Sequence, residues 1–255
     1  MNDRLARAWT DAAEGYEAYF VPRFAPWVSD AVNALRDLPD GPILVPCCGT
    51  FPELAGLSAR FPGRELVGID LSAGMVRLAA ERAAGRANVT VVEGDAATLA
   101  PQWTESCAAV VSVFGLQQLP DPAAALRSWT GALRHGGRLS VVYWPGQVER
   151  DGPFARMAAL VRARVGASDR TWEDAVRAQA DHDEFLEHPM SHEDAATFFD
   201  AYTRSGPLRA LAAARGDAFI ADLRTEFLRD APPGEWTHHP RARHLLLHKE
   251  ITPPT

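Results

Sequence analysis

Residues 65–76 read ELVGIDLSAGMV, a short apolar run that passes directly into a helical one. The first half, Glu65–Asp70, predicts a buried β-strand because its central residues are apolar and partly β-branched. Ser72 is a residue type that caps helix N-termini, and Gly85 is placed to end the helix. The residues that would share one face of this helix are Met75, Leu78 and Ala79. The stretch therefore predicts one strand followed by one helix.

The same alternation of strand and helix extends from residue 41 to residue 145. Four further strands are predicted at Pro42–Pro46, Asn88–Glu93, Ala108–Phe114 and Arg138–Trp144. A helix opened by proline and closed by the glycines at 136 and 137 would join the last two strands. Strands that alternate with helices in this way indicate an α/β fold with a parallel sheet.

Helical segments flank this region on both sides. Residues 1–40 form a predicted N-terminal helical lid, and residues 41–150 form the predicted core. The bulky residues of the lid are Trp9, Tyr16, Tyr19, Phe20 and Trp27. Residues 151–255 form a predicted helical cap, with an extended segment at His182–Met190 and a closing strand at Arg243–Ile251. Such caps usually lie over the carboxyl edge of the sheet, where ligands bind.

The composition is that of an ordinary globular protein, and it excludes several functional classes. Of the 255 residues 47% are hydrophobic, and the formal net charge of −7 makes nucleic acid an unexpected partner. We expect no membrane partner, since no apolar stretch approaches the roughly 20 residues that span a bilayer. Only three cysteines occur and two are adjacent, so we expect reduced thiols and a cytoplasmic location. We further expect a monomer or homodimer.

Small and acidic residues follow three of the predicted strands. The turn Cys47–Thr50 would let a ligand approach backbone amides, although a purely structural turn explains it equally well. Asp70 would accept hydrogen bonds from both hydroxyls of a ribose, or else complement a helix dipole. Asp95 would accept a hydrogen bond from an adenine amine, or else serve as a plain turn residue. Their order along neighbouring strands suits a nucleoside.

These residues lie in motifs that resemble the class I S-adenosylmethionine-dependent methyltransferases, especially those that act on small molecules. The resemblance runs from about Trp9 to Pro145. The stretches that carry it are Val67–Met75, Val92–Ala96, Phe114–Asp121 and Gly136–Leu139. It implies a Rossmann-like sheet of seven strands with an N-terminal helical lid and a C-terminal helical cap. It also implies S-adenosylmethionine as the cofactor.

The resemblance further implies roles for individual residues. Asp70 would bind the ribose, and Asp95 would hold the adenine amine with support from the backbone of Ala96. The residues expected to flank the adenine are Leu71 and Met75. Those expected near the methionine end of the cofactor are Cys47, Gly49, Phe114 and Gln117. Tyr16 and Tyr19 would close over the sulfonium by cation–π contact, or else pack in the core.

The first motif departs from the family pattern. Val45 stands where the family has an acid, and Cys47 and Phe51 replace the first and third glycines. We expect Phe51 to narrow the turn and the missing acid to remove an anchor near the methionine part. Gln117 and Gln118 stand where the family often has a histidine pair, so no catalytic base is assigned. Other histidines that would serve as candidates are His182, His188 and His239.

The sequence therefore predicts methyl transfer from S-adenosylmethionine to an O, N or C nucleophile of a small molecule in specialised metabolism. The altered first motif leaves open a methyltransferase-like fold used as a non-methylating cyclase, a rearrangement enzyme or a cofactor-binding regulator. Weaker alternatives are a metal site within Thr237–His248 and a nucleophilic Cys47 or Cys48 with a lowered pKa. The arginines that would contact an anionic acceptor are Arg204, Arg209 and Arg215.

Overall fold

The computed structural model describes residues 2–250, so the predicted end of the closing strand at Ile251 lies outside the described residues. The strands are β1 (Ile43–Pro46), β2 (Leu66–Asp70), β3 (Val89–Glu93), β4 (Cys107–Val113), β5 (Leu133–Tyr143), β6 (His182–Glu187), β7 (Met190–His192), β8 (Trp236–His238) and β9 (Arg241–His248). The helices are α1 (Asn2–Asn33), α2 (Leu54–Arg60), α3 (Ala73–Ala83), α4 (Pro122–Ala132), α5 (Pro153–Val165), α6 (Trp172–Arg177), α7 (Ala195–Thr203), α8 (Gly206–Arg215) and α9 (Asp217–Arg229).

Seven of these strands form one mixed sheet in the order β3, β2, β1, β4, β5, β9, β6. The first five are parallel, whereas β9 runs antiparallel to both of its neighbours. Leu44 at the centre of β1 lies opposite Val67 of β2 and Val110 of β4. The carboxyl ends of β1 to β4 therefore meet at one edge of the sheet. This is the Rossmann-like α/β fold that the resemblance implied, and that prediction is confirmed.

Strand β5 begins earlier than the sequence predicts. The expected start was Arg138, after a helix closed by glycines, whereas α4 has already ended and β5 begins at Leu133. Leu133 pairs with Cys107, and the register then shifts before the next paired residue. A Cβ at Gly137 would lie 2.7 Å from the carbonyl oxygen of Arg134. The glycines thus allow an irregular strand rather than ending a helix.

The C-terminal segment contributes strands as well as helices. The predicted extended segment His182–Met190 forms β6, an edge strand of the main sheet, and the first residue of β7. Strands β7 and β8 pair in a separate two-stranded antiparallel sheet. Helices α5, α7, α8 and α9 form the helical cap. The division into lid, core and cap near residues 40 and 150 stays a prediction.

Consecutive strand residues bury against opposite faces of the sheet. Val45 and Val111 face a core shared with α1, α2 and the cap, where Trp27 is fully buried. Leu44 faces the core on the other side, where Trp129 of α4 is fully buried. Burial on both faces is what the nearly continuous apolar runs of these parallel strands indicate.

Helix α1 forms the lid, as one helix of 32 residues. It packs against α3 at Gly74, where a Cβ would lie 2.6 Å from the carbonyl oxygen of Thr10. The Thr10 hydroxyl lies 3.1 Å from that of Ser72. Ser72 also accepts the predicted capping hydrogen bond from the amide of Met75, so the lid rests on a capped helix start. Neither α1 nor any other helix within residues 2–250 has the length and apolar character needed to cross a membrane.

Candidate active site

The turn after β1 has a backbone that favours glycine but contains only one glycine. Gly49 has a φ of +52°, Cys47 one of +55° and Phe51 one of +61°. These values lie in the left-handed region, which residues other than glycine rarely adopt. Cys47 and Phe51 are the positions at which the first motif departs from the family pattern. The departure therefore changes the side chains, while the backbone still adopts the conformation that glycine would accept.

Two glycines, one in β2 and one just after β4, leave space for the side chains of the turn after β1. A Cβ at Gly115, just after β4, would lie 2.4 Å from the Cβ of Cys47. A Cβ at Gly68 in β2 would lie 2.9 Å from the sulfur of Cys48 and 3.1 Å from the ring of Phe51. Phe51 is fully buried in the core and does not line the adjacent cavity. The expectation that Phe51 narrows the turn is wrong, because its ring packs over Gly68 instead.

Asp70 joins the turn after β1 to the start of α3. One carboxylate oxygen accepts a hydrogen bond from the amide of Gly49, and the other accepts one from the amide of Ser72, each at 2.9 Å. Burial raises the pKa of Asp70, and its backbone hydrogen bonds oppose that rise. Each oxygen has a second lone pair, so the carboxylate can still accept hydrogen bonds from a ligand.

Asp95 lies in the turn after β3 and is exposed. One of its oxygens accepts a hydrogen bond from the amide of Ala97 at 2.8 Å, a contact typical of aspartate in a turn. The neighbouring Ala96 is buried, and its carbonyl accepts a hydrogen bond of 2.7 Å from the indole of Trp129. Asp95 thus has a structural contact and also stands at the cavity described next.

A cavity opens at the carboxyl ends of β1 to β4, beneath α1. It brings together nine of the ten residues that the sequence predicts around a cofactor. These are Tyr16, Cys47, Gly49, Asp70, Leu71, Met75, Asp95, Ala96 and Phe114. The lid adds Leu5, Ala6 and Trp9 to the wall. The predicted residues therefore share one cavity, and their individual contacts with a ligand stay predictions.

Gln117 is the tenth predicted residue, and the structure places it outside this cavity. It belongs to a 3-10 turn, Leu116–Gln118, and its side-chain amide donates a hydrogen bond of 2.7 Å to the carbonyl of Phe114. Gln117 lines a neighbouring cavity instead, and its expected place near the methionine end of the cofactor stays a prediction. Gln118, to which the sequence assigned no role, lines both cavities.

Glu53 is a cavity residue that the sequence analysis missed. It stands just before α2 and is 2% exposed, and its Oε2 atom has no hydrogen-bond partner. Burial raises the pKa of Glu53 to about 8, although the charge of Arg82 opposes that rise. An acid at a helix start usually complements the helix dipole on the surface. The sequence therefore carried no sign that this one is buried.

A second, larger cavity adjoins the first beneath the cap. The two cavities share Trp9, Tyr16, Phe114 and Gln118. The aromatic residues that line only the second are Phe20, Phe24, Trp144, Phe154 and Tyr202. Its described lining includes Arg170 but no aspartate, glutamate, histidine or lysine. Burial raises the pKa of Tyr202 to about 12, so this hydroxyl stays protonated near neutral pH.

The histidines considered as catalytic bases lie away from both cavities. These are His182, His188 and His239. His188 instead forms a hydrogen bond of 2.6 Å with Asp30 of α1. Within the described residues, no group of three or more histidine, cysteine or acidic side chains is arranged to hold a metal ion. His188 thus makes a contact within the protein, whereas His239 is exposed.

The structure also differs from two other predictions, a nucleophilic cysteine after β1 and cap arginines that contact an acceptor. Burial raises the pKa of Cys47 and of Cys48, which contradicts the lowered pKa expected of a nucleophile. Of the three cap arginines, Arg209 bonds Asp11 of the lid at 3.2 Å, and none is part of either cavity wall. The arginine that does line the second cavity is Arg170, which bonds Glu173 at 2.6 Å.

Tyr19 takes part in a hydrogen-bonded chain rather than in a cavity wall. Its hydroxyl lies 2.8 Å from Nδ1 of His192, whose Nε2 lies 3.0 Å from Nε2 of His238. Nδ1 of His238 lies 2.5 Å from Glu149. Glu149 also accepts a hydrogen bond of 2.8 Å from the amide of Phe154 at the start of α5. The chain therefore links the lid, the β7–β8 sheet and the cap.

Comparison with known proteins agrees with this arrangement. Residues 43–137 match the family described as a methyltransferase domain. The ubiquinone/menaquinone biosynthesis C-methyltransferase UbiE of Syntrophotalea carbinolica is 30% identical over 171 residues, which cover 63% of this chain and 71% of that relative. A demethylmenaquinone methyltransferase of Staphylococcus aureus is 39% identical over 92 residues, which cover 36% of this chain and 38% of the relative.

The similarity of this chain to solved structures is evidence for its fold alone. The YcgJ protein of Bacillus subtilis superposes with a TM-score of 0.60 at 17% identity, covering 88% of this chain and 98% of that one. The identity to the C-methyltransferase, in contrast, is 30% and spans 71% of its length. The resemblance stated from the motifs is thereby confirmed: the chain belongs to the class I S-adenosylmethionine-dependent methyltransferases, enzymes whose cofactor is S-adenosylmethionine.

Proposed function

We propose that this enzyme transfers the methyl group of S-adenosylmethionine to a small aromatic molecule held in the second cavity. The observation that carries this proposal is the shared wall between a cavity lined by the predicted cofactor residues and a larger aromatic one. Methyl transfer depends mainly on aligning nucleophile and methyl group and on excluding water. Two adjoining cavities beneath a lid and a cap suit that requirement.

The first cavity fits the cofactor by the chemistry of its donors and acceptors. Asp70 keeps lone pairs for two ribose hydroxyls, and Asp95 stands at the turn where an adenine amine would be held. When bound, the cofactor supplies an electrophilic methyl group on a positively charged sulfur. Tyr16 lines both cavities, so we place its ring beside that charge.

The second cavity favours a flat, largely apolar acceptor. Phe24, Trp144 and Phe154 offer ring faces and edges against which an aromatic molecule would pack. Oε1 of Gln117 is buried without a partner and would accept a hydrogen bond from a hydroxyl or amine of the acceptor. Relatives named for ubiquinone and menaquinone biosynthesis agree with an acceptor of this kind.

The lining of the second cavity also limits the reacting atom. Its described residues include no carboxylate or imidazole, so we infer an acceptor that reacts without a protein base. An electron-rich ring carbon, an amine or a readily ionised hydroxyl meets that condition. The O, N or C nucleophile of the sequence analysis thus remains open. A role in specialised metabolism, a location in the cytoplasm and a monomeric or homodimeric state remain parts of this proposal.

Calorimetric titration with S-adenosylhomocysteine tests the cofactor site. Asp70→Ala should weaken binding about 10- to 100-fold, because charge-assisted hydrogen bonds worth about 1.5 to 3 kcal/mol are lost. Glu93→Ala is the matched control, since Glu93 is exposed at the end of the next strand and is not part of the cavity wall. Unchanged affinity in a folded Asp70→Ala protein would rule out the ribose contact.

Product mass tests the reaction. The protein is incubated with labelled S-adenosylmethionine and a panel of phenols, naphthols, hydroquinones and aromatic amines. We expect a product heavier by one CH2 group, formed together with one equivalent of S-adenosylhomocysteine. A product of unchanged mass with the cofactor intact would instead support the non-methylating alternative.

A further inference from the structure

The position at which the family carries its first-motif acid contributes no charge here. Val45 is fully buried in the centre of the sheet, within the core shared with α1 and α2. It does not line the first cavity. A methionine ammonium group in that cavity would therefore need a negative partner from another element.

Glu53 is the buried acid that this cavity offers. It reaches the wall from the residue before α2, and its Oε2 atom lacks a hydrogen-bond partner within the described structure. Leaving a buried carboxyl oxygen unpaired is unfavourable in the free protein. A cationic hydrogen-bond donor in the cavity would remove that unfavourable state.

The three acids of the cavity wall stand at the ends of three neighbouring strands. Asp95 follows β3, Asp70 ends β2, and Glu53 comes after the turn that follows β1. These strands are adjacent in the order β3, β2, β1, so Asp70 lies between the other two acids. If Asp95 and Asp70 hold the adenosine, Glu53 stands at the opposite end, where the amino-acid part of the cofactor belongs.

We propose that Glu53 is the anionic partner of the cofactor's ammonium group, and that it replaces the acid missing at position 45. This inference rests on the proposed function. A proton leaves the Glu53 carboxyl when the ammonium group binds, and it passes to the solvent. The affinity for ligands with an amino-acid part therefore depends on Glu53, whereas the affinity for adenosine alone does not.

The surroundings of Glu53 support a change of protonation on binding. Burial raises its pKa to about 8, so the free protein holds the carboxyl mainly in its neutral form at pH 7. The charged or titratable groups that face it are Tyr16 from α1, Cys48 from the turn after β1 and Arg82 from α3. Arg82 is itself bound to Glu17 of the lid, so the nearby positive charge is already paired.

The test compares two ligands that differ only in the amino-acid part. S-adenosylhomocysteine carries the ammonium group without a sulfonium, and methylthioadenosine carries neither. Glu53→Gln should weaken S-adenosylhomocysteine about 10- to 100-fold and leave methylthioadenosine nearly unchanged. Glu53→Asp should fall between the wild type and Glu53→Gln. Glu93→Gln, at an exposed strand end, is the control.

Proton release provides a readout that does not depend on any variant. Titrations of the wild type at pH 7 in buffers of different ionisation enthalpy should show about one proton released per S-adenosylhomocysteine and none per methylthioadenosine. Affinity for S-adenosylhomocysteine should rise with pH up to about 8 and then level off.

Each alternative outcome has a separate meaning. An equal loss for both ligands would show that Glu53 acts through the fold, and no loss for either would overturn the proposal while leaving the cofactor site intact. Binding of S-adenosylhomocysteine without proton release would also overturn it. Failure of the wild type to bind either ligand would instead contradict the proposed function.

Discussion

At the scale of single residues, the turn after β1 keeps a backbone conformation that favours glycine, although two of the three positions with positive φ carry other residues. Cys47 and Phe51 hold left-handed φ values of +55° and +61°, a conformation that is unfavourable by about 1 kcal/mol or more for a residue with a side chain. Gly115 and Gly68 provide the space these side chains need. The full burial of Phe51 contributes apolar stabilisation that offsets the strain.

A double-mutant cycle tests this pairing of Cys47 with Gly115. Gly115→Ala should lower the free energy of unfolding by about 1 to 3 kcal/mol, because its new Cβ would meet the Cβ of Cys47, which stands 2.4 Å away. Cys47→Gly should restore most of that loss in the double variant. The measurement is urea unfolding of all four proteins, and strictly additive effects would contradict the pairing.

At the scale of secondary-structure elements, the contact between α1 and α3 positions the lid. Gly74 lets the two helices meet at Thr10, and the charge pairs Arg77–Glu14 and Arg82–Glu17 lie along the same seam. Helix α1 brings Trp9 and Tyr16 over both cavities. The fit of one helix on another therefore sets how closely the lid covers the first cavity.

Adding a methyl group to this seam should loosen the lid. Gly74→Ala would place a Cβ 2.6 Å from the Thr10 carbonyl oxygen, so α1 has to shift. We expect faster dissociation and weaker binding of S-adenosylhomocysteine, measured by stopped-flow fluorescence. Gly131→Ala in α4 is the matched control, since nothing lies within 4 Å of its added Cβ. Indistinguishable ligand kinetics in the two variants would show that the seam does not control the lid.

Most helices and strands could be predicted because the residue patterns that indicate them lie within short stretches of the sequence. Strand β2 and the Ser72 cap follow from the periodicity and residue types of residues 65–76 alone. The early start of β5 depends on Leu133 pairing with Cys107, which no local pattern reveals. Glu53 was missed for a related reason, because its burial depends on how the surrounding elements pack together in the fold.

At the scale of the whole molecule, the chain from Tyr19 to Glu149 connects parts that are distant in sequence. With both imidazoles neutral, the Tyr19 hydroxyl donates to His192, His192 donates to His238, and His238 donates to the Glu149 carboxylate. Every polar atom along this path then has a partner. The lid, the β7–β8 sheet and the start of α5 are thereby held in one arrangement.

This chain makes stability depend on pH in a defined direction. Burial lowers the pKa of His192 to about 3, so the unfolded state binds more protons than the folded one once the pH falls below about 6.5. The contribution is present in full above that pH and is lost by up to about 1.4 kcal/mol per pH unit as the pH falls toward 3.

Urea unfolding between pH 7 and pH 4 measures this dependence. His192→Gln should reduce the slope by about one proton, whereas the exposed His239→Gln should leave it unchanged. Equal slopes in the wild type and His192→Gln would show that His192 is protonated in the folded protein.

The wall shared by the two cavities affects how the acceptor should be searched for. Because Trp9, Tyr16, Phe114 and Gln118 belong to both cavities, a ligand that moves these side chains in one cavity would change the shape of the other. If the proposed cofactor and acceptor bind there, their binding is linked and the linkage is reciprocal: each changes the affinity of the other by the same factor. A search for the acceptor is therefore best carried out on the protein saturated with S-adenosylhomocysteine.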